Sequence, residues 1–239
     1  MTSFLLMDGY VHARSIDVED SIIAPEIQTV SEYYTILPDL TGNTPALLPQ
    51  FDLASDDSFQ KYLSDATPFT DPDYVPADLI PINSNFTAND ARKFKLRQEA
   101  GDEFADMARH FRNTFSGDRI SIINSYRSKG FQGFLLKNCR LANLCAKVGT
   151  SEHQAGLALD LTVVTKGGRT VHLEGTNKYT EWLHAHAYQW GFHNTYQKGV
   201  EIDGKIVEGW HRRYLGTGLA TILFENNQTL AEYYKTVNN

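Results

Sequence analysis

One stretch of this chain limits its possible folds more than any other. Residues 151–161 read Ser-Glu-His-Gln-Ala-Gly-Leu-Ala-Leu-Asp-Leu. Leu157, Leu159 and Leu161 alternate, and Val163 continues the series. That period of two predicts a strand over 157–164 with an apolar face toward a core. If the strand begins at Gly156, then Gly156, Ala158, Asp160 and Thr162 share the opposite face. An acid that follows two minimal side chains implies close approach to the backbone, and a metal with a peptide substrate would need that room. His153 sits just before the strand, where a loop can fold its imidazole back toward Asp160.

Residues 208–211 read Glu-Gly-Trp-His. A spacing of three sets Glu208 beside His211 in a turn, but on the opposite side of a flat strand. A turn is therefore predicted here, or a bend helped by Gly209. His153, Asp160 and His211 together offer two imidazoles and a carboxylate, a set that suits a catalytic zinc with one position left to water. Calcium or magnesium would want more oxygen ligands. Glu208 is the spare carboxylate, able to take a proton from water as it attacks a carbonyl. Of the eight histidines, His12, His110, His172, His184, His186 and His193 are read as ordinary surface or core residues.

The chain has 239 residues, enough for one sizeable domain and an extension. Its net charge of −7 argues against an electrostatic grip on nucleic acid or anionic lipid. Residues 1–72, rich in Asp, Ser, Thr and Pro, read as an extension or arm, and 73–239 as the main domain. Within it, the apolar spacing predicts a helix over 91–115, a strand over 119–124 and a helix over 129–147. The second helix would turn Phe131, Phe134, Leu135, Leu141 and Leu144 inward. A third helix over 178–190 would close at Gly191, and Asp203-Gly204 suits the tight turn of a hairpin over 200–207. Without a repeated βαβ unit, the fold class is α+β, a small antiparallel sheet flanked by helices. Cys139 and Cys145, six apart in the second predicted helix, would point to different sides and stay unpaired. No run reaches the length of a transmembrane helix. Residues 1–7 lack the basic start of a signal peptide.

The two segments closely resemble the motifs of the LAS zinc peptidases, the group named for lysostaphin, D-Ala-D-Ala metallopeptidases and sonic hedgehog. The family pattern is Ser-x-His-x-x-Gly-x-Ala-x-Asp followed by Glu-x-x-His, and every fixed position is present, from Ser151 to Asp160 and from Glu208 to His211. The resemblance spans about residues 73–218 and is greatest to VanY-type D,D-carboxypeptidases and the L,D-carboxypeptidases that share their domain. It implies a zinc metallo-carboxypeptidase with a hedgehog-like fold, acting outside the cytoplasm on peptidoglycan stem peptides. His153, Asp160 and His211 would hold Zn2+, with Glu208 as catalytic base. A third matching stretch, Ser-Tyr-Arg at 125–127, would turn Arg127 toward the active site to receive a carboxylate or an oxyanion. Gln132, Ser151, Tyr126 and Trp210 are the candidates for substrate contact. Relatives often carry Pro and Trp where this chain has Gly209 and Arg212. Gly209 would loosen the turn that aims Glu208, and Arg212 would add charge near the metal. An endopeptidase, a D-Ala-D-Ala dipeptidase and a non-catalytic zinc module are the competing expectations.

Overall fold

The computed structural model describes residues 34–36, 47–141 and 143–238. They fall into two units divided between Gln50 and Phe51. In the first, β1 (Tyr34–Ile36) and β2 (Leu47–Pro49) pair antiparallel. The second begins at Phe51, not near residue 73. Leu63 and Phe69 belong to its main core, and Gln60 Nε2 donates to the Leu215 carbonyl at 2.8 Å. Residues 51–72 are therefore part of the compact unit. Their polar composition conceals a few apolar anchors that it buries.

A two-stranded ribbon, β3 (Leu79–Pro81) with β4 (Lys95–Arg97), leads into helix α1 (Gln98–Thr114). The helix expected from residue 91 thus starts at 98. Ala91–Lys93 forms only a 3₁₀ turn, capped by Asp90. Leu96 kept the apolar spacing going because it is buried too, but from a strand. Next come β5 (Arg119–Asn124), α2 (Lys129–Asn138), β6 (Ala158–Val164), β7 (Thr170–His172) and α3 (Lys178–His186). A 3₁₀ turn continues α3 to Trp190, where Gly191 stops it at φ 73°. Then follow β8 (Phe192–His193), α4 (Val200–Asp203), β9 (His211–Tyr214), α5 (Gly216–Glu225) and α6 (Leu230–Asn238).

The five-stranded sheet runs β5-β6-β9-β8, with β7 paired to β6 beyond the end of β9, and all pairings are antiparallel. As the alternation predicts, Leu157, Leu159, Leu161 and Val163 are fully buried in one core with Ala100, Phe104, Met107 and Phe111 of α1. Each such large side chain contributes roughly 1.5–3 kcal/mol of transfer free energy. No helix among the described residues is long and apolar enough to cross a membrane.

Two segments depart from expectation. Helix α2 ends at Asn138, and Phe131, Phe134 and Leu141 are exposed, while the residue that α2 buries is Gln132. Past the helix the chain turns back, so the geometry that kept the cysteines apart does not apply. Cys139 and Cys145 form a disulfide with Cα atoms 6.3 Å apart. The hairpin expected over 200–207 is instead the single turn α4. The Gly204 N–H donates to the Val200 carbonyl in helical fashion, and Asp203 Oδ2 accepts from Lys198 N. Asp-Gly supplies the left-handed glycine of a helix end as readily as that of a hairpin turn.

Candidate active site

The site begins with strand register. Asp160 on β6 stands opposite His211 on β9 and opposite Asn124 on β5. His153 lies in the loop before β6, tied down by Arg127 N donating to its carbonyl at 3.1 Å. Gly156 in that loop is left-handed, with φ 67°, and a Cβ there would lie 2.6 Å from the Leu79 side chain. The space kept free at Gly156 is thus filled by protein, not by a substrate, and the strand starts at Ala158.

His153 Nε2 lies 3.4 Å from Asp160 Oδ1, and His211 Nδ1 lies 3.1 Å from the same oxygen. All three residues are buried, and each offers a ligand atom within 4.8 Å of the others. Ligand atoms about 2.1 Å from a tetrahedral zinc sit roughly 3.4 Å from one another, so the spacing suits such an ion. The remaining ring nitrogens are engaged as a metal site requires. His153 Nδ1 donates to the Ser125 carbonyl at 2.8 Å, and His211 Nε2 donates to Glu152 Oε2 at 2.7 Å. Each contact fixes a tautomer that turns the other lone pair inward.

Charge in the site is balanced around these groups. Burial pushes the Asp160 carboxyl up, but the two imidazoles outweigh it and hold the group well below the usual carboxylate range. Burial alone would lower His211. Its hydrogen bonds with Asp160 and Glu152 reverse that and raise it to about 9. A cation held by His153, Asp160 and His211 would replace the proton that His211 otherwise holds. Glu208 Oε2 lies 3.9 Å from His211 Nδ1. Burial, helped by Asp160 and Glu152, raises Glu208 to about 7 against the pull of His211. A carboxyl of that pKa can accept and return a proton near neutrality.

The predicted turn carries Glu208, with the His211 N–H donating to the Glu208 carbonyl at 3.1 Å. Gly209 does not loosen it. A Cβ there would lie 2.0 Å from the Leu173 carbonyl oxygen, so only glycine lets the turn pack this closely. A cleft of about 540 Å³ opens over the site, lined by Arg127, Gln132, Ser151 and Trp210 among others. Arg127 Nη1 lies 3.4 Å from Asp160 Oδ2, and its Nε donates to Gln132 Oε1. The Gln132 amide also donates to the Ala146 carbonyl, so both its ends are held by protein and it braces Arg127. Tyr126 is half-buried and does not line the cleft. Arg212 lies on the other face of β9, hydrogen-bonded to the carbonyls of Gly209 and His211, and is not a cleft residue.

Three site residues escaped the sequence reading. Glu152 accepts from Thr195 Oγ1 and His211, with Arg213 Nη1 at 3.7 Å. Its position next to His153 was the available signal. Tyr196 packs its ring 4.9 Å from that of His211. Asn124 Nδ2 donates to Asp160 Oδ2 at 3.0 Å. Only the fold reveals the last two, because they reach the site from separate strands and loops.

Residues 93–217 match the family model VanY, D-alanyl-D-alanine carboxypeptidase. YodJ of Bacillus subtilis (strain 168), named as a carboxypeptidase, is 30% identical over 173 residues, which are 69% of this chain and 63% of that protein. The chain thus spans less than two thirds of that relative's length. Among solved structures, the LD-carboxypeptidase LdcB is 25% identical with a TM-score of 0.66, over 84% of this chain and 94% of that one. The vancomycin-resistance D,D-pentapeptidase VanY in complex with Zn(II) is 23% identical with a TM-score of 0.53, over 73% and 98% of the two chains.

Proposed function

Because this chain belongs to the VanY family of D-alanyl-D-alanine carboxypeptidases, we propose that it is a zinc carboxypeptidase releasing the terminal D-alanine of peptidoglycan stem peptides. One observation carries the reading: His153, Asp160 and His211 converge beside Glu208 at a cleft walled by Arg127. Zinc held there supplies the Lewis acidity that makes water a nucleophile near neutral pH. Glu208 takes the proton of the attacking water and returns it to the leaving amine. Arg127, braced by Gln132, receives the substrate carboxylate or the oxyanion with a planar fork of donors. Ser151 and Trp210 line the path of the peptide. Tyr196 covers the outer face of His211. Such a substrate lies outside the cytoplasm, and the Cys139–Cys145 disulfide suits an oxidising compartment there.

The similarity to an LD-carboxypeptidase favours a second reading, removal of D-alanine from a tetrapeptide stem. One assay tests both. Zinc-loaded protein is incubated with synthetic penta- and tetrapeptide stems, with and without chelator, and products are identified by mass. Release of free D-alanine from one stem and not the other names the specificity. Glu208→Ala should keep its zinc and lose about 10³-fold in kcat. Wild-type turnover in that variant, or activity indifferent to chelator, would overturn the mechanism.

A further inference from the structure

The strand that carries His211 presents a second cation on its opposite face. Arg212 is 2% exposed and lines a small cavity with His184, His193, Gln197 and Asn227. The other buried lysines and arginine each have a carboxylate within 4.0 Å. Lys61 has Asp56 at 2.9 Å, Lys205 has Asp65 at 3.1 Å, and Arg213 has Glu152 at 3.7 Å. Among the described residues Arg212 has none, and no Asp or Glu lines its cavity. Its recorded hydrogen bonds both leave Nη1, for the carbonyls of Gly209 and His211, while Nε is buried without a partner.

A buried charge must be paired or neutralised. A guanidinium does not give up its proton in a folded protein, so neutralisation is closed to it. What remains is a counter-ion. The cavity has about 20 Å³ of water-sized space, room for one atom-sized ligand and too little for sulfate or phosphate. Gln197 and Asn227 line the same space, and side-chain amides can donate to an anion; Gln197 Nε2 also lies 3.3 Å from His193 Nε2. We propose that this cavity is a binding site for a small monatomic anion, a halide, held by Arg212 behind the metal-ligand strand.

The test uses the full chain loaded with zinc. Thermal unfolding is followed while chloride replaces gluconate at constant ionic strength. The wild type should gain roughly 3–6 °C, saturating by about 0.3 M chloride, because the anion binds the folded state alone. Arg212→Met should lose that chloride response. Equal behaviour in chloride and gluconate, or an undiminished response in Arg212→Met, would overturn the proposal. Crystals of the wild type grown in bromide give a reading that needs no variant. An anomalous peak within hydrogen-bond reach of the Arg212 guanidinium supports the site, and water density there refutes it.

Discussion

The floor of the cleft and its α2 wall are held in different ways. The floor is a backbone ladder, in which Asp160 faces His211 on one side and Asn124 on the other, and fully buried leucines anchor it from behind. The wall, α2 with residues 139–141 and 143–150, is held by scattered single contacts. Among them are the Cys139–Cys145 disulfide, Gln132 to the Ala146 carbonyl, Lys205 Nζ to the Cys145 carbonyl, Ile206 N to the Asn143 carbonyl, Lys129 Nζ to Asp73 and Phe69 N to the Gly149 carbonyl. The difference separates two tasks. Groups that converge on one ion need sub-ångström placement, and strand register provides it for Asp160 and His211. A surface that positions no reacting group can tolerate an exposed apolar side chain such as Leu141, which lines the cleft. Damage to the floor should therefore abolish chemistry, whereas damage to the wall should change binding.

The largest effect is expected at Asp160. Asp160→Ala removes one ligand and also strips His211, His153 and Arg127 of the carboxylate they share. Zinc content after dialysis and hydrolysis should both fall to background. Retained zinc would mean that the floor does not depend on this register.

The second effect is on pH. In the metal-free protein His211 holds its proton up to about 9, so the proposed zinc would have to displace it. Apparent zinc affinity should weaken about tenfold per unit, or about 100-fold from pH 9 to pH 7. The same raised pKa stabilises the metal-free fold below the unfolded value near 6.5, and that stability is lost as pH rises through 9. Competition with a chromophoric chelator across this range measures the affinity, and a flat profile would contradict the assigned proton. A smaller effect follows at Glu152, which accepts from His211 Nε2 and is not one of the three converging groups. Glu152→Gln should lower zinc affinity about 10–100-fold and flatten the pH profile. An unchanged affinity would remove Glu152 from the support of the floor.

The floor was also the more legible half. Alternation of Leu157, Leu159 and Leu161 places Asp160 on the other face whatever the rest of the chain does, and a spacing of three brings Glu208 to His211. Both are local rules. The wall obeys none of them. Phe131 and Phe134 have helical spacing, yet they face outward, because the side chain that α2 buries is the polar Gln132, committed to Arg127 and Ala146. A spacing of six keeps two cysteines apart only inside a continuous helix, and α2 stops one residue before Cys139. Asn124 and Tyr196 come from a strand and a loop, and only tertiary contact brings them to Asp160 and His211.

Two smaller predictions probe the wall. Replacing both Cys139 and Cys145 by serine releases a short closed loop and should cost about 2 kcal/mol of stability. Zinc affinity and kcat should stay near wild type while KM rises, since the disulfide lines the cleft and touches no ligand. A fall in zinc affinity would show that the wall supports the floor.

Leu141→Ser gives the finest cut. Leu141 is 62% exposed, so its loss uncovers little core and stability should move by no more than about 0.5 kcal/mol. Phe104→Ala, in the core behind the floor, should cost about 3–5 kcal/mol. Yet Leu141 lines the cleft, where a bound stem peptide would cover it. Losing about 1 kcal/mol of that contact raises KM roughly fivefold. Because the contact is the same before and during reaction, kcat should not change. Denaturant midpoints and initial rates on one stem peptide separate the two quantities. A large loss of stability, or a fall in kcat with KM constant, would make the wall part of the same rigid frame as the floor and erase the distinction between them.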